Sequence, residues 1–247
     1  MKRLDVIDNA KVSRIVDACT SDTDLKATEA ARILFENGTD VYKITNLLSA
    51  GLMGIEKNRK VVPTRWAITA TDDMLCSSYK AEVLRLPALP EFEVFCDTLH
   101  GNTLCFILIP SNDWRFEMIE RWQKKSLWAD DEETIIIDGE KGKTKREYSP
   151  IGGAYYAARL AVLEYLYRRR CCARVICIRD ISGEYWAPLG VWVIREASHA
   201  ALAKEPKRFG TLSEAVSAAS VLLDTSFWIP RMGLLKDIRE QKTLFDF

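Results

Sequence analysis

The chain has 247 residues, of which 48% are hydrophobic and 28% charged, a composition typical of a globular protein with a sizeable core. Its 35 basic residues balance 35 acidic ones, which excludes a global attraction to nucleic acid, so any such binding must come from local patches. No apolar run approaches the roughly 20 residues of a membrane span, and residues 1–8 lack the apolar stretch of a signal peptide, so we expect a cytoplasmic protein with no membrane partner.

The N-terminal part of the chain is predicted to be helical. Thr23-Asp24 can cap an amphipathic run that ends at Asn37-Gly38, and a second helix is expected from about residue 40 to residue 50. We assign residues 1–55 to this helical segment.

Residues 61–70 alternate apolar and polar side chains around Pro63. This pattern favours an edge strand or an extended ligand-lining segment over a helix. Asp72-Asp73 is then expected to start the next helix, where the two carboxylates can act as caps.

Two aromatic-rich segments follow. Residues 92–110 read as apolar strand, turn at His100-Gly101-Asn102, and apolar strand, which predicts a hairpin. Trp114, Met118 and Trp122 recur every four residues, a spacing that predicts a short helix with an aromatic stripe.

The second half of the chain mixes strands and helices. Residues 135–137 predict a strand, residues 138–146 a charged and mobile insertion, and residues 152–170 a long, buried, central helix. The elements expected after it are a strand at 174–181, a strand at 191–195, a helix at 211–222 and a last helix beyond Trp228.

Hairpins outnumber βαβ units in this order of elements. We therefore predict an α+β fold, with a mixed or antiparallel sheet and helices packed on it. Residues 56–239 would form the core domain and residues 240–247 a C-terminal tail.

The seven cysteines form an odd set without a C-x-x-C pair, which predicts buried, reduced thiols and neither disulfides nor a zinc site. His100 and His199 are the two histidines, and no Cys or His lies at ligand spacing from them. A His/Cys metal cage is therefore not expected, whereas a divalent metal held by carboxylates stays open as a cofactor.

Candidate phosphate ligands occur in two regions. In the first, Arg65 is favoured as an anion ligand because the polar residues Lys60, Thr64, Thr69, Asp72 and Asp73 lie close to it in sequence. We expect Arg65 and Arg159 to be buried, and since an unpaired buried charge costs several kcal/mol, each is either half of a structural ion pair or an anion ligand.

The second region is Ser149-Pro150-Ile151-Gly152-Gly153, which opens the central helix. Free N–H groups at a helix start bind anions and glycines permit close approach, so Gly152 and Gly153 can hold a phosphate, assisted by Lys145 and Arg146. The match to a P-loop is poor, and ordinary helix entry is the alternative. Glu164 and Arg195-Glu196 are further candidates for acid–base or metal chemistry, with an exposed salt bridge as the alternative for Arg195-Glu196.

The last seven residues place Gln241, Leu244 and Phe247 at relative positions 0, +3 and +6, with Phe245 beside them. This resembles a sliding-clamp (PCNA) interaction box, in which a single turn projects an aliphatic and an aromatic side chain into one pocket. The alternative is a tail that packs on its own domain.

Four blocks resemble the archaeal Nre family of DNA-repair proteins, namely residues 59–70, 152–164, 188–192 and 228–231 followed by the C-terminal box. The resemblance implies a role in DNA repair and clamp binding through Gln241, Leu244 and Phe247. Family members are longer and carry a cysteine-bearing zinc finger ahead of this region, so we expect the chain to be the C-terminal part of the family architecture or a short member. The resemblance does not identify catalytic residues in this chain.

Three hypotheses follow. The first is a clamp-recruited DNA-repair factor whose body binds DNA or a nucleotide-like ligand. The second is a phosphate-ester hydrolase or nucleotidyl-type transferase, with Asp72, Asp73 and Glu164 as metal ligands or general base. The third is an adaptor that only displays the tail.

Overall fold

The computed structural model describes residues 11–142, 145 and 147–240. The chain divides into two compact units, with the boundary between Leu75 and Cys76. The proposed clamp box, residues 241–247, lies outside the described residues, as do Lys143 and Arg146. None of the described helices combines the length and the hydropathy that a membrane span needs.

The described part of the first unit is helical, and the helices predicted at 23–38 and 40–50 are confirmed. It contains α1 (Arg14–Ser21), α2 (Ala27–Glu36), α3 (Val41–Ser49), a 3₁₀ turn (Glu56–Asn58) and the start of α4 (Thr64–Val83). Its buried side chains include Val16, Leu34 and Ile44, one from each of the first three helices. Arg59 ties the loop before α4 to the last turn of α1, because its guanidinium donates to the carbonyls of Gly54 and Thr20, both at 2.7 Å.

Helix α4 overturns two expectations. Residues 61–70 were predicted to be extended and Asp72-Asp73 to begin a helix, but α4 starts at Thr64 and both aspartates lie inside it. Pro63 stands immediately before the helix and its carbonyl accepts from Trp66 N–H, which fits a proline because the first turn needs no N–H from that position. The buried positions 67, 71 and 75 then recur every four residues, as on one face of a helix.

The second unit is built on a six-stranded sheet, so the predicted α+β class is confirmed. Its strands are β1 (Phe92–Leu99), β2 (Asn102–Pro110), β3 (Arg115–Trp122), β4 (Thr134–Lys141), β5 (Ala173–Ile181) and β6 (Lys207–Phe209). They lie in the order β4-β3-β5-β2-β1-β6. Only the β3–β5 pairing is parallel among these, which makes the sheet mixed.

Helices cover both faces of this sheet. On one face lie α5 (Gly153–Arg169) and, beside it, α6 (Val191–Leu202); on the other lie α7 (Leu212–Ala219), α8 (Thr225–Trp228) and α9 (Gly233–Glu240). Tyr155 of α5 packs edge-on against Phe116 of β3, with ring centroids 5.1 Å apart. The predicted long, buried central helix is therefore α5, which is buried along most of its length.

The sequence pattern predicted the wrong secondary structure for two elements. The segment around Trp114, Met118 and Trp122 is a strand, β3, and residues 191–195 begin helix α6. β3 is buried on both faces because it lies between β4 and β5 with helices above and below, so its sequence lacks the alternation of a half-exposed strand. A short apolar run such as 191–195 does not by itself distinguish a strand from a buried helix.

The predicted state of the cysteines is wrong for one pair. Cys96 of β1 and Cys105 of β2 face each other directly across the hairpin and form a disulfide. The other cysteines are buried thiols outside this disulfide, as expected. The first residues of the expected mobile insertion, 138–141, belong to β4.

Candidate phosphate-binding site

Helices α5 and α6 begin in the same way. Gly152, the N-cap of α5, has φ 71° and ψ −148°, and Gly190, the N-cap of α6, has φ 64° and ψ −148°. Residues with a side chain rarely adopt this conformation, so the backbone selects glycine at both positions. Glycine carries no capping group, so neither N-cap makes a side-chain hydrogen bond to its helix. In α5 the N–H of Tyr155 donates to the Gly152 carbonyl (3.2 Å).

The two N-termini are adjacent. Gly153, the first residue of α5, packs against Val191, the first residue of α6, so closely that a Cβ at position 153 would lie 2.4 Å from Val191 Cγ2. The glycine at 153 is thus explained by close packing and the one at 152 by its dihedral angles. Each helix N-terminus carries about half a positive charge, and two such ends side by side favour an anion such as a phosphate group.

The loops that lead into these helices are each held by a buried tyrosine. Tyr156 accepts a hydrogen bond at its hydroxyl from Ser149 N–H (3.1 Å), and Tyr185 accepts one from Leu189 N–H (3.0 Å). Both tyrosines are buried. The backbone that presents the two N-termini is therefore fixed before any ligand arrives.

Three exposed aromatic side chains belong to the two helix starts or to the loops that lead into them, and we call them the aromatic rim: Tyr148, Trp186 and Trp192. Their exposed fractions are 66%, 82% and 44%. Tyr148 lies at the start of α5, with its hydroxyl 3.9 Å from where a Cβ of Gly152 would stand. Trp186 belongs to the loop that ends at Gly190, and Trp192 is the second residue of α6.

Lys145, predicted to assist phosphate binding, already has a partner. Its ammonium lies 2.7 Å from the carboxylate of Asp138 and 5.0 Å from the ring centre of Tyr155. In sequence, residues 141–148 carry four basic side chains (Lys141, Lys143, Lys145 and Arg146) and one acidic side chain, Glu147. The segment that precedes Tyr148 is therefore basic.

Arg159 lies in a buried ionic cluster, not at the surface. Its guanidinium is 2.5 Å from the carboxylate of Glu140, which also accepts from Lys80 (3.0 Å) and from the Trp114 indole N–H (2.7 Å). Burial acts to raise the pKa of Glu140, but Arg159, Lys80 and Trp114 together hold this pKa below its ordinary value. Of the two interpretations of Arg159, the structural ion pair is the one that these contacts support.

The other group of predicted ligands lies on or near α4. Lys60, Thr64 and Arg65 are exposed, which corrects the expectation that Arg65 is buried. Arg65, Thr69, Asp72 and Asp73 have the spacing of one helical face, and of these Asp72 is fully buried while Asp73 is exposed.

The remaining acidic candidates lie on α5 and α6. Glu164 is a partner of His199, at 3.3 Å, and the hydrogen bond with Glu164 raises the pKa of His199 although burial opposes this. Arg195 is buried, so the alternative of an exposed salt bridge between Arg195 and Glu196 does not fit. Across residues 11–142, 145 and 147–240, no group of three or more His, Cys, Asp and Glu side chains is arranged to hold a metal ion.

The sequence reasoning missed the second helix start at Gly190. A signal for it exists, because Pro188-Leu189-Gly190 repeats the proline, apolar residue and glycine of Pro150-Ile151-Gly152. The repeated tripeptide precedes a helix N-terminus in both places.

Comparison with known proteins places these features in a family. Residues 1–129 match the family model described as Archaeal Nre, N-terminal, and residues 140–247 match Archaeal Nre, C-terminal. The chain belongs to the archaeal Nre family. Because the N-terminal model also matches, the expectation that the chain is only the C-terminal part of the Nre architecture is wrong. Both glycine-capped helix starts lie within the Nre C-terminal match.

Three Nre relatives illustrate the similarity. DNA repair protein NreA of Archaeoglobus fulgidus is 39% identical over 221 residues, which is 90% of this chain and 56% of the relative. DNA repair protein NreA of Haloferax volcanii is 35% identical (97% of this chain, 56% of the relative), and DNA repair protein NreB of Archaeoglobus fulgidus is 37% identical (95% and 60%). The chain thus spans 56% to 60% of the length of these curated relatives. No solved structure matches the chain.

Proposed function

We propose that this Nre chain is a DNA-repair factor whose body binds DNA phosphates and whose C-terminal residues bind the sliding clamp. The repair role is supported by family membership and by the names of the relatives, which are DNA repair proteins. The observation that carries the DNA contact is the pair of adjacent, glycine-capped N-termini of α5 and α6.

Phosphate binding at this place follows from local electrostatics. The net charge of the chain is zero, so attraction to DNA has to come from a local feature. Two converging helix N-termini supply N–H donors and positive potential without a charged side chain. Contacts of this kind position DNA without reading its sequence, and they weaken as salt rises.

A matched pair of substitutions at Leu189 tests the DNA contact. Leu189 is 39% exposed and directly precedes the N-cap of α6. Leu189→Glu places a carboxylate where the phosphate would bind, and we expect the affinity for a DNA oligonucleotide to fall at low salt, measured by fluorescence anisotropy. Leu189→Gln has the same shape without the charge and should bind like the parent.

A negative charge at a helix N-terminus stabilises the helix by about 0.3–1 kcal/mol, so a loss of binding in Leu189→Glu would not come from unfolding. Equal affinities of the Glu and Gln variants across a salt series would rule out this phosphate site.

The clamp contact is supported by the order of residues at the C-terminus. Helix α9 ends at Glu240, and Gln241, Leu244 and Phe247 follow at the spacing of the box. The three apolar side chains of the box, Leu244, Phe245 and Phe247, would contribute about 1.5–3 kcal/mol each. Ordering a free peptide segment costs about 2–5 kcal/mol, which leaves a micromolar or weaker contact. Such an affinity suits recruitment and not a permanent complex.

Calorimetry tests the clamp contact. The full chain is titrated against the sliding clamp beside a version that ends at Glu240, a Phe247→Ala variant and a Lys242→Ala control. We expect saturable binding by the full chain and by Lys242→Ala, and none by the other two. Unchanged binding after truncation would show that the C-terminal motif does not bind the clamp.

The same experiments separate the two alternatives. Clamp binding without any DNA binding would indicate an adaptor. For the phosphate-ester hydrolase or nucleotidyl-type transferase, Asp72, Asp73 and Glu164 remain the candidate residues, and a divalent metal should then raise the melting temperature in the parent but not in Asp72→Asn.

A further inference from the structure

We propose that the aromatic rim binds the unpaired bases of single-stranded DNA, with Tyr148, Trp186 and Trp192 as stacking surfaces. This inference rests on the proposed DNA contact at the α5 and α6 N-termini, and it specifies which form of DNA the body prefers.

The side chains of the rim are large, aromatic and exposed. Trp186 is 82% exposed and Tyr148 66%, although both belong to the residue types that folded proteins largely cover. Scattered single apolar residues need no explanation, but several around one site mark a binding surface. Tyr148 lies beside the start of α5, Trp192 is the second residue of α6, and Trp186 lies four residues before the N-cap of α6.

The arrangement also pairs aromatic surfaces with phosphate donors. A single strand alternates bases and phosphates, and proteins bind it through aromatic rings for the bases and positive potential for the backbone. Here exposed rings stand on both adjacent helix starts and on the loop that leads into α6.

The loops that carry the rim residues are held by aromatic contacts with buried side chains. The ring of Tyr148 lies 5.5 Å from that of buried Tyr156, and the neighbour of Trp186, Tyr185, lies 6.1 Å from the ring of Trp122. The exposed rings therefore stand on loops that are already ordered, which lowers the entropy lost on binding.

Single strands are favoured over duplex because stacking needs an accessible base face. In a duplex each base face is covered by its neighbours, whereas an unpaired base can stack on a tryptophan or tyrosine ring. A rim that contacted only phosphates would have no need of aromatic side chains.

The test compares an oligothymidylate with a duplex of equal length, using the full chain, fluorescence anisotropy and quenching of tryptophan emission. We expect tighter binding of the single strand together with quenching. Two substitutions at Trp186 separate stacking from apolar contact. Trp186→Phe keeps an aromatic ring and should retain most of the affinity, whereas Trp186→Leu should weaken oligothymidylate binding roughly five- to a hundredfold.

Leu222→Ala is the control for the loss of an exposed apolar side chain, since Leu222 is 58% exposed and follows α7 on the opposite face of the sheet. Its affinity should match the parent, and circular-dichroism melts should show that all variants fold. Tyr148→Leu, paired with Tyr148→Phe, repeats the comparison at a second ring.

The outcomes distinguish the inference from the proposed function. Equal affinity for single strand and duplex, or equal loss in the Phe and Leu variants, would overturn the stacking role while DNA binding stands. No binding of either DNA would overturn both the rim and the DNA contact, and clamp titration would then test the recruitment separately.

Discussion

The carboxylate of Glu117, on β3, accepts hydrogen bonds from the backbone N–H groups of Gly233 (2.8 Å) and Leu234 (2.6 Å). These residues are the first turn of α9, the helix that directly precedes the proposed clamp box. A strand residue thus caps a helix more than a hundred positions away in sequence, and Arg115 adds an ion pair with Asp237 on the same helix. The last helix is therefore attached to the sheet at its N-terminus.

Removing this cap should loosen α9. Glu117→Ala leaves two buried helix donors without an acceptor, so we expect a loss of about 1–3 kcal/mol in unfolding free energy. Hydrogen exchange should accelerate in residues 233–240 more than in α5. Glu117→Gln keeps one oxygen acceptor and should lose less. An Ala variant with parental stability and exchange would show that the cap is not needed.

The Gly153 and Val191 contact gives a second prediction. Gly153→Ala inserts a methyl group 2.4 Å from Val191 Cγ2, so the Val191 side chain or the two helix starts must move. Overpacking of this kind costs about 1–3 kcal/mol. The double variant Gly153→Ala with Val191→Ala removes the clash and should recover much of the melting temperature, as well as DNA affinity. Failure of the second substitution to restore either property would contradict this account of Gly153.

Arg159 can now be assigned by experiment to one of its two roles. As Arg159 is one of two cationic partners of buried Glu140, its replacement by Met should cost at most about 3–5 kcal/mol of unfolding free energy, because the carboxylate keeps Lys80. DNA affinity, measured at a temperature where the variant is folded, should stay unchanged since the side chain is 1% exposed. A specific loss of DNA binding with little change in stability would instead favour an anion ligand.

The His199 and Glu164 pair predicts a pH dependence of stability. The hydrogen bond with Glu164 raises the pKa of His199 above its ordinary 6.5. The folded state therefore holds this proton more tightly, and the stabilisation is fully present below pH 6.5 and is lost as the pH rises through the folded pKa.

Melting temperatures of the parent and of His199→Gln, measured from pH 5.5 to 9, should differ most at the acidic end and converge at the alkaline end. The effect should be small, because the side chain is 35% exposed and solvent screens the pair. Glu164→Gln should abolish the difference. A gap that grows with pH would show that the pKa of His199 is not raised.

Local sequence signals were sufficient for several elements. The β1–β2 hairpin carries its turn within three residues, and α5 has the composition and length of a buried helix, so neither depends on distant partners for its type. The glycine at 152 was singled out as a phosphate contact for a local reason as well, since it opens that helix.

Tertiary structure decided what the local pattern left ambiguous. The segment at 115–122 became a strand because β4 and β5 pair with it on both sides, and the four-residue recurrence of its aromatic residues carried no information about those neighbours. The stretch from Val191 became a helix whose start packs on α5. Short apolar runs lack the length to settle this choice, so burial against partners settles it.

Some features of the candidate site likewise follow from local sequence, and others follow only from tertiary packing. The sequence by itself determined that Gly152 opens a helix and that Tyr148, Trp186 and Trp192 are present, because these are properties of neighbouring residues. Only the tertiary structure decided that the α6 start lies against the α5 start and that the rings of the aromatic rim are exposed. It also decided that Arg159 forms an ion pair with Glu140. Proximity and burial depend on how distant segments pack, and a single sequence does not encode those distances in any local pattern.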